Sequence, residues 1–119
     1  MQRPSESGAL DEAALLNLVG GDQKLAGELA ALFLNDIEPR MKEITAAVTE
    51  LAPARLRAGA HALRGSAATM MANDVSAAAG ALETMGHSGL LEGVQRALEE
   101  LKMAMAMLRP RLVALAAAA

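Results

Sequence analysis

His61, Arg64 and Gly65 are the residues of this chain whose types and spacing could do chemistry. On a helix, the positions three and four after His61 are its surface neighbours. A cation and a stretch of bare backbone therefore flank one imidazole. Imidazole is the side chain that is substantially neutral and nucleophilic near neutral pH. A guanidinium suits phosphoryl oxygens, to which its planar fork donates several hydrogen bonds. The glycine has no use to the helix itself, where it costs roughly 1 kcal/mol relative to alanine. A reacting partner that must come close to the imidazole accounts for it. The chemistry suggested is capture of a phosphoryl group by an exposed histidine.

That reading requires the histidine to face outward. At about 100° per residue, Leu56, Ala60, Leu63, Ala67 and Met70 fall within one arc of roughly 80°. This is the expected core face. His61 lies about 140° from its centre by the same geometry, on the solvent side. Its wheel neighbours are Ala58, Gly65, Ala68 and Ala72, all small, with Arg57 and Arg64 to one side. Ala68 joins Gly65 as clearance for a partner. Two plainer readings stand beside this one. His61 is an ordinary surface residue, or Gly65 serves only close helix packing.

The elements that must position these residues are helices. The chain has 119 residues, 53% of them apolar, with Phe33 as its one aromatic. The apolar residues are mostly Ala, Leu and Met, which favour helix, and β-branched residues are scarce. Residues 1–8 read as a disordered arm and 9–119 as a single domain. Asp11 caps a short helix over 12–19 that Gly20-Gly21 closes. Asp22 caps a long helix with Leu25, Leu29, Leu32, Phe33 and Ile37 as its stripe. Pro39 should kink or break it before Met41, Ile44, Val48 and Leu51 resume the pattern. Pro53 opens the histidine helix, over about 53–72.

Asn73-Asp74 caps a helix over about 75–86, with Val75, Ala78, Ala79 and Leu82 inward. Gly86-His87-Ser88-Gly89 reads as a turn. A last helix carries Leu90, Val94, Ala97, Leu98, Leu101, Met105, Leu108, Leu112 and Leu115, with a bend at Pro110. The expected fold is all-α, an antiparallel four-helix bundle with a short leading N-terminal helix.

Composition argues against several classes. With a net charge of −3 and scattered basic residues, nucleic-acid binding has no electrostatic support. No segment reaches the ~20 apolar residues of a membrane span. The polar start lacks the apolar core of a signal peptide. The absence of cysteine rules out disulfides and thiolate metal sites, and suits the cytoplasm. His87 lies far from His61 in sequence and the pair has no third ligand at helical spacing, so no metal site is expected. There is no Gly-rich nucleotide loop and no nucleophile–base pair.

The run Ala60-His61-Ala62-Leu63-Arg64-Gly65-Ser66-Ala67-Ala68 resembles the signature of histidine-containing phosphotransfer (HPt) domains. Gly21-Asp22 followed by Leu29 and Phe33 resembles the family's first long helix. Leu82-Glu83 resembles the Leu-Glu pair that follows the histidine by about two dozen residues. The resemblance covers roughly residues 12–116. It implies a helical bundle that relays phosphoryl groups between aspartates of receiver domains. It implies His61 as the phosphorylated residue and Arg64 in place of the usual Lys near the phosphoryl group. Gly65 and Ala68 would give the partner room, and Glu83 would orient the imidazole. Met71 departs from the pattern, standing where the family commonly has glycine.

Under this resemblance the partners are response-regulator receiver domains and a sensor or hybrid histidine kinase. Mg²⁺ is expected from the receiver, and no cofactor from this chain. Autokinase activity and ATP binding are not expected, nor are nucleic-acid or membrane partners. A monomer is favoured. Leu34 is a candidate docking residue. Met103 and Met107, opposite the last helix's core stripe, are candidates for contact with a partner, a second copy or the leading helix. Three rivals remain. One is the phosphoacceptor hairpin of a sensor kinase, which usually follows its histidine with an acidic residue. The second is a non-catalytic interaction bundle binding a receiver or kinase. The third is a regulator of this type without transfer.

Overall fold

A computed structural model describes residues 8–118. Of the expected disordered arm, residues 1–7 lie outside the described residues. Gly8 is helical together with Ala9, and Ala9 and Leu10 are buried. Five further helices follow: α1 (Glu12–Leu18), α2 (Gln23–Thr49), α3 (Pro53–Thr69), α4 (Asn73–Ser88) and α5 (Val94–Ala117). The fold is all-helical. The four long helices form a bundle in which α3 packs most extensively on α4 and α2 on α5, with α4–α5 and α2–α3 completing the ring. The short connections over residues 50–52, 70–72 and 89–93 make successive helices antiparallel.

The helix starts follow local chemistry. The Asp11 carboxylate accepts from the Ala14 amide at 3.0 Å, and Asp22 accepts from Leu25 at the same distance. These side chains satisfy amides that the first helical turn leaves unpaired. α1 ends in Gly20 and Gly21, both with positive φ. α2 and α3 end in the same geometry without glycine. After α2, Leu51 (φ 49°) donates to Val48 and Ala52 donates to Ala47. After α3, Met71 (φ 60°) donates to Ala68 and Ala72 donates to Ala67. Both are Schellman closures with a side-chain-bearing residue in the left-handed position.

The leading segment seals one end of the bundle. Leu10 and Leu15 are buried, the Asp11 amide donates to the Met71 carbonyl, and Arg111 donates to the Leu10 carbonyl. The first helices are thus tied to the α3–α4 connection and to the C-terminal part of α5.

Several expectations about elements need correction. Leu25 and Leu32 are exposed, Leu32 at 62%, and the core side of α2 is Ala26, Ala30, Phe33, Ile37, Ile44, Ala47 and Val48. Alanines at the contact let helices approach closely, which rotates the buried face away from the leucines. Pro39 does not break α2, which continues to Thr49, and α5 likewise continues past Pro110. Both prolines are exposed, where water can take the carbonyls they leave unpaired. α3 ends at Thr69 rather than 72, and Ala72 is buried in the connection. Asn73 and Asp74 lie inside the first turn of α4, whose cap is Ala72. Gly86, His87 and Ser88 are helical, and the turn begins at Gly89. α5 starts at Val94, so Leu90 falls outside it and is exposed.

Candidate functional site

α3 presents the site because its other face is fully committed to the core. Leu56, Ala60, Leu63 and Ala67 are buried, and Met70 follows at the helix end. That stripe fixes the rotation of the helix. His61 stands on the opposite side, its side chain 64% exposed.

The imidazole is held from α4. Its Nδ1 lies 2.7 Å from Glu83 Oε2. A carboxylate can only accept, so Nδ1 carries the proton. In the neutral ring the lone pair is then on Nε2. Glu83 also accepts from Arg64 Nε through its other oxygen. Arg64 Nη2 stands 3.3 Å from His61 Nδ1, a close neighbour of a nitrogen whose proton already points at the carboxylate. One carboxylate therefore binds the nucleophile and the adjacent cation at once. The Arg64 guanidinium, and after it His61, hold the Glu83 carboxyl below its ordinary range, against a smaller opposing effect of burial.

The face around His61 is bare. Ala58, Gly65 and Ala68 are exposed. A Cβ placed on Gly65 would meet nothing within 4 Å. Gly65 therefore serves no packing among the described residues, which removes the physical basis of the reading that it exists for close helix contact.

His61, Arg64, Gly65, Ala68 and Glu83 thus occupy one continuous surface of α3 and α4. Arg64 is not extended toward open solvent beside Nε2. Its head rests on Glu83, on the Nδ1 side of the ring. Leu34 is half-buried against the core. Met103 and Met107 remain exposed, at 69% and 57%.

Sequence reasoning missed three contributors. His87 sits in the last turn of α4, where it lines a recess with Arg57, Arg64, Gly80, Glu83 and Thr84. Ser76 Oγ donates to the Arg64 carbonyl at 3.2 Å. Gly80 lies under the Arg64 side chain. Gly86 is helical rather than part of a turn, and it marks the α3–α4 crossing. A Cβ there would stand 2.6 Å from the Arg57 nitrogen and 2.8 Å from the Pro53 carbonyl oxygen. Its absence lets the two helices approach closely enough for Glu83 to reach His61. The available signal was the spacing of Gly80 and Gly86 from Glu83 on one helix, three residues to either side.

Among the described residues no group of three or more His, Cys, Asp or Glu side chains is arranged to hold a metal ion. No described helix is long and apolar enough to cross a membrane. No curated protein and no solved structure matches the chain. A family model described as Hpt domain matches residues 28–111, which include α3, α4 and every residue of the site.

Proposed function

The chain belongs to the Hpt domain family, and on that premise we propose that His61 is the phospho-accepting residue of a two-component phosphorelay. The observation that carries this is the pairing of an exposed ring with a carboxylate on its Nδ1 alone. Nε2 is left as the nucleophile, on a face where Ala58, Gly65 and Ala68 are exposed.

The reaction is transfer from a receiver's aspartyl phosphate. The Nε2 lone pair attacks phosphorus as the bond to the aspartyl oxygen breaks, and that electron pair returns to the receiver's carboxylate. The ring keeps its Nδ1 proton and becomes cationic. Glu83, already 2.7 Å away, balances that charge. Transfer onward to a second aspartate reverses the same steps. A loose transition state asks for positioning and charge neutralisation rather than for covalent help. Arg64 supplies a cation that turns from Glu83 to the phosphoryl oxygens. Gly65 and Ala68 leave space for the receiver's loops. The receiver brings Mg²⁺, and this chain holds no nucleotide.

The test is uptake of label. The purified chain, mixed with a phosphorylated receiver domain and Mg²⁺, should acquire an acid-labile, base-stable phosphate. No uptake from any receiver of its host would defeat the proposal. The non-catalytic interaction bundle predicts binding of a receiver without such uptake.

A further inference from the structure

Arg64 crosses α4 along a defined path. Ser76, Gly80 and Glu83 are spaced by four and three residues, so they share one face of that helix. Each touches Arg64 at a successive point. Ser76 Oγ donates to the Arg64 carbonyl at 3.2 Å. A Cβ on Gly80 would stand 3.2 Å from Arg64 Cδ, tighter than side chains ordinarily pack. Glu83 accepts from Arg64 Nε at the far end. The stem of Arg64 therefore passes over bare backbone to reach the carboxylate.

Among the described residues nothing else calls for a glycine at position 80. It lies inside α4, away from either end, and is not among the positive-φ glycines. An alanine would favour the helix by roughly 1 kcal/mol. Among the described residues the close neighbour a Cβ would meet is Arg64.

We propose that Gly80 is a positioning residue for phosphotransfer, acting through Arg64: it keeps α4 bare so that the guanidinium rests on Glu83 beside His61. The proposal builds on the reading of His61 as phospho-acceptor. With the path filled, the Arg64 stem is pushed outward, Glu83 is left to His61 alone, and the cation is no longer stationed next to the ring. Gly80 touches neither the ring nor the phosphoryl group, so its effect should vanish when Arg64 is absent.

Two measurements on Gly80→Leu test this, each compared with wild type. In the unphosphorylated protein, ¹⁵N NMR should show the Arg64 Nε–H signal losing its protection from solvent exchange. In transfer from a receiver domain charged with acetyl phosphate and Mg²⁺, the rate should fall roughly fivefold, the size of a coupling between contacting groups. The same substitution in an Arg64→Ala background should slow transfer no further. Circular dichroism checks the fold, and where Gly80→Leu loses helix, Gly80→Ala takes its place in both measurements. An unchanged Nε–H signal would overturn the proposal, as would equal slowing in both backgrounds. If wild type takes up no phosphate, the phospho-acceptor reading fails, and the proposal with it. Uptake with an unchanged Nε–H signal defeats the role of Gly80 and leaves His61 standing.

Discussion

Glu83 Oε2 lies 2.7 Å from His61 Nδ1, across the α3–α4 interface and 22 residues away in sequence. The contact selects a tautomer. It also places a negative charge where the ring becomes positive on phosphorylation.

Glu83→Ala should release both effects. The neutral ring should lose its preference for the Nδ1 proton, read by ¹⁵N NMR of the imidazole nitrogens. Transfer from a phosphorylated receiver should slow by at least about tenfold, since a hydrogen bond to a charged group is worth ~1.5–3 kcal/mol. An unchanged tautomer ratio would show that the carboxylate does not orient the ring.

Acid should act on stability through the same residue. The Glu83 carboxyl is held below its ordinary value of 4.5, first by Arg64 and then by His61. A group with a depressed folded pKa adds stability above its unfolded value and loses it as pH falls through the folded one. Denaturant unfolding should therefore show wild type weakening as pH drops below 4.5, with a shallower decline in Glu83→Gln. In ¹³C titrations of the Glu83 carboxyl, Arg64→Gln should raise its pKa more than His61→Gln does.

The same substitution at two glycines should have opposite effects. Gly65→Ala meets open space in an exposed helix interior, so it should stabilise the isolated protein by about 1 kcal/mol. Gly86→Ala drives a Cβ against α3 backbone, so it should destabilise by about 1–3 kcal/mol. Thermal melts read both. A bulky residue at position 65 should slow phosphotransfer while helix content stays intact. Unaltered transfer would end the clearance account.

Leu51 and Met71 occupy left-handed positions that cost a side-chain-bearing residue roughly 1–2 kcal/mol. Leu51 is 63% exposed and has little packing to lose. Leu51→Gly should therefore stabilise by about 0.5–1 kcal/mol, since glycine's freedom in the unfolded chain offsets part of the gain. Met71 packs partly against the core, so Met71→Gly should gain little. Melting temperatures compare the two. An increase with Met71→Gly alone would reverse this reasoning.

The histidine helix was legible because its core stripe combines large and small residues in one narrow arc. Leu56, Ala60, Leu63, Ala67 and Met70 are all buried, and His61 lies opposite. α2 was less legible. Its leucines suggested a stripe, but Ala26 and Ala30 take the core positions, and hydropathy gives alanine little weight. Glycine misled at the end of α4. Composition cannot separate a glycine that turns the chain, such as Gly89, from one that admits a neighbouring helix, such as Gly86. Pro39 lies inside α2 without ending it, at an exposed position where water reaches the carbonyl it leaves unpaired.

The site divided along the same line. Residues on one helix, His61, Arg64, Gly65 and Ala68, could be related by spacing. Glu83 came only through resemblance to a family, since no periodicity links it to α3. Ser76 and Gly80 depend on how α4 lies against α3, which pattern alone does not supply. Met71 departs from the glycine common in the family at that position. The structure gives the reason that position favours glycine, since Met71 itself takes a positive φ at the end of α3.

The most direct test of the central claim compares wild type with His61→Gln. Each is incubated with a ³²P-labelled phosphoreceiver and Mg²⁺, and retained label is assayed for stability in acid and base. Wild type should take up an acid-labile, base-stable phosphate, and His61→Gln should take up none. Equal labelling of His61→Gln would place the phosphoryl group on another residue and contradict the account.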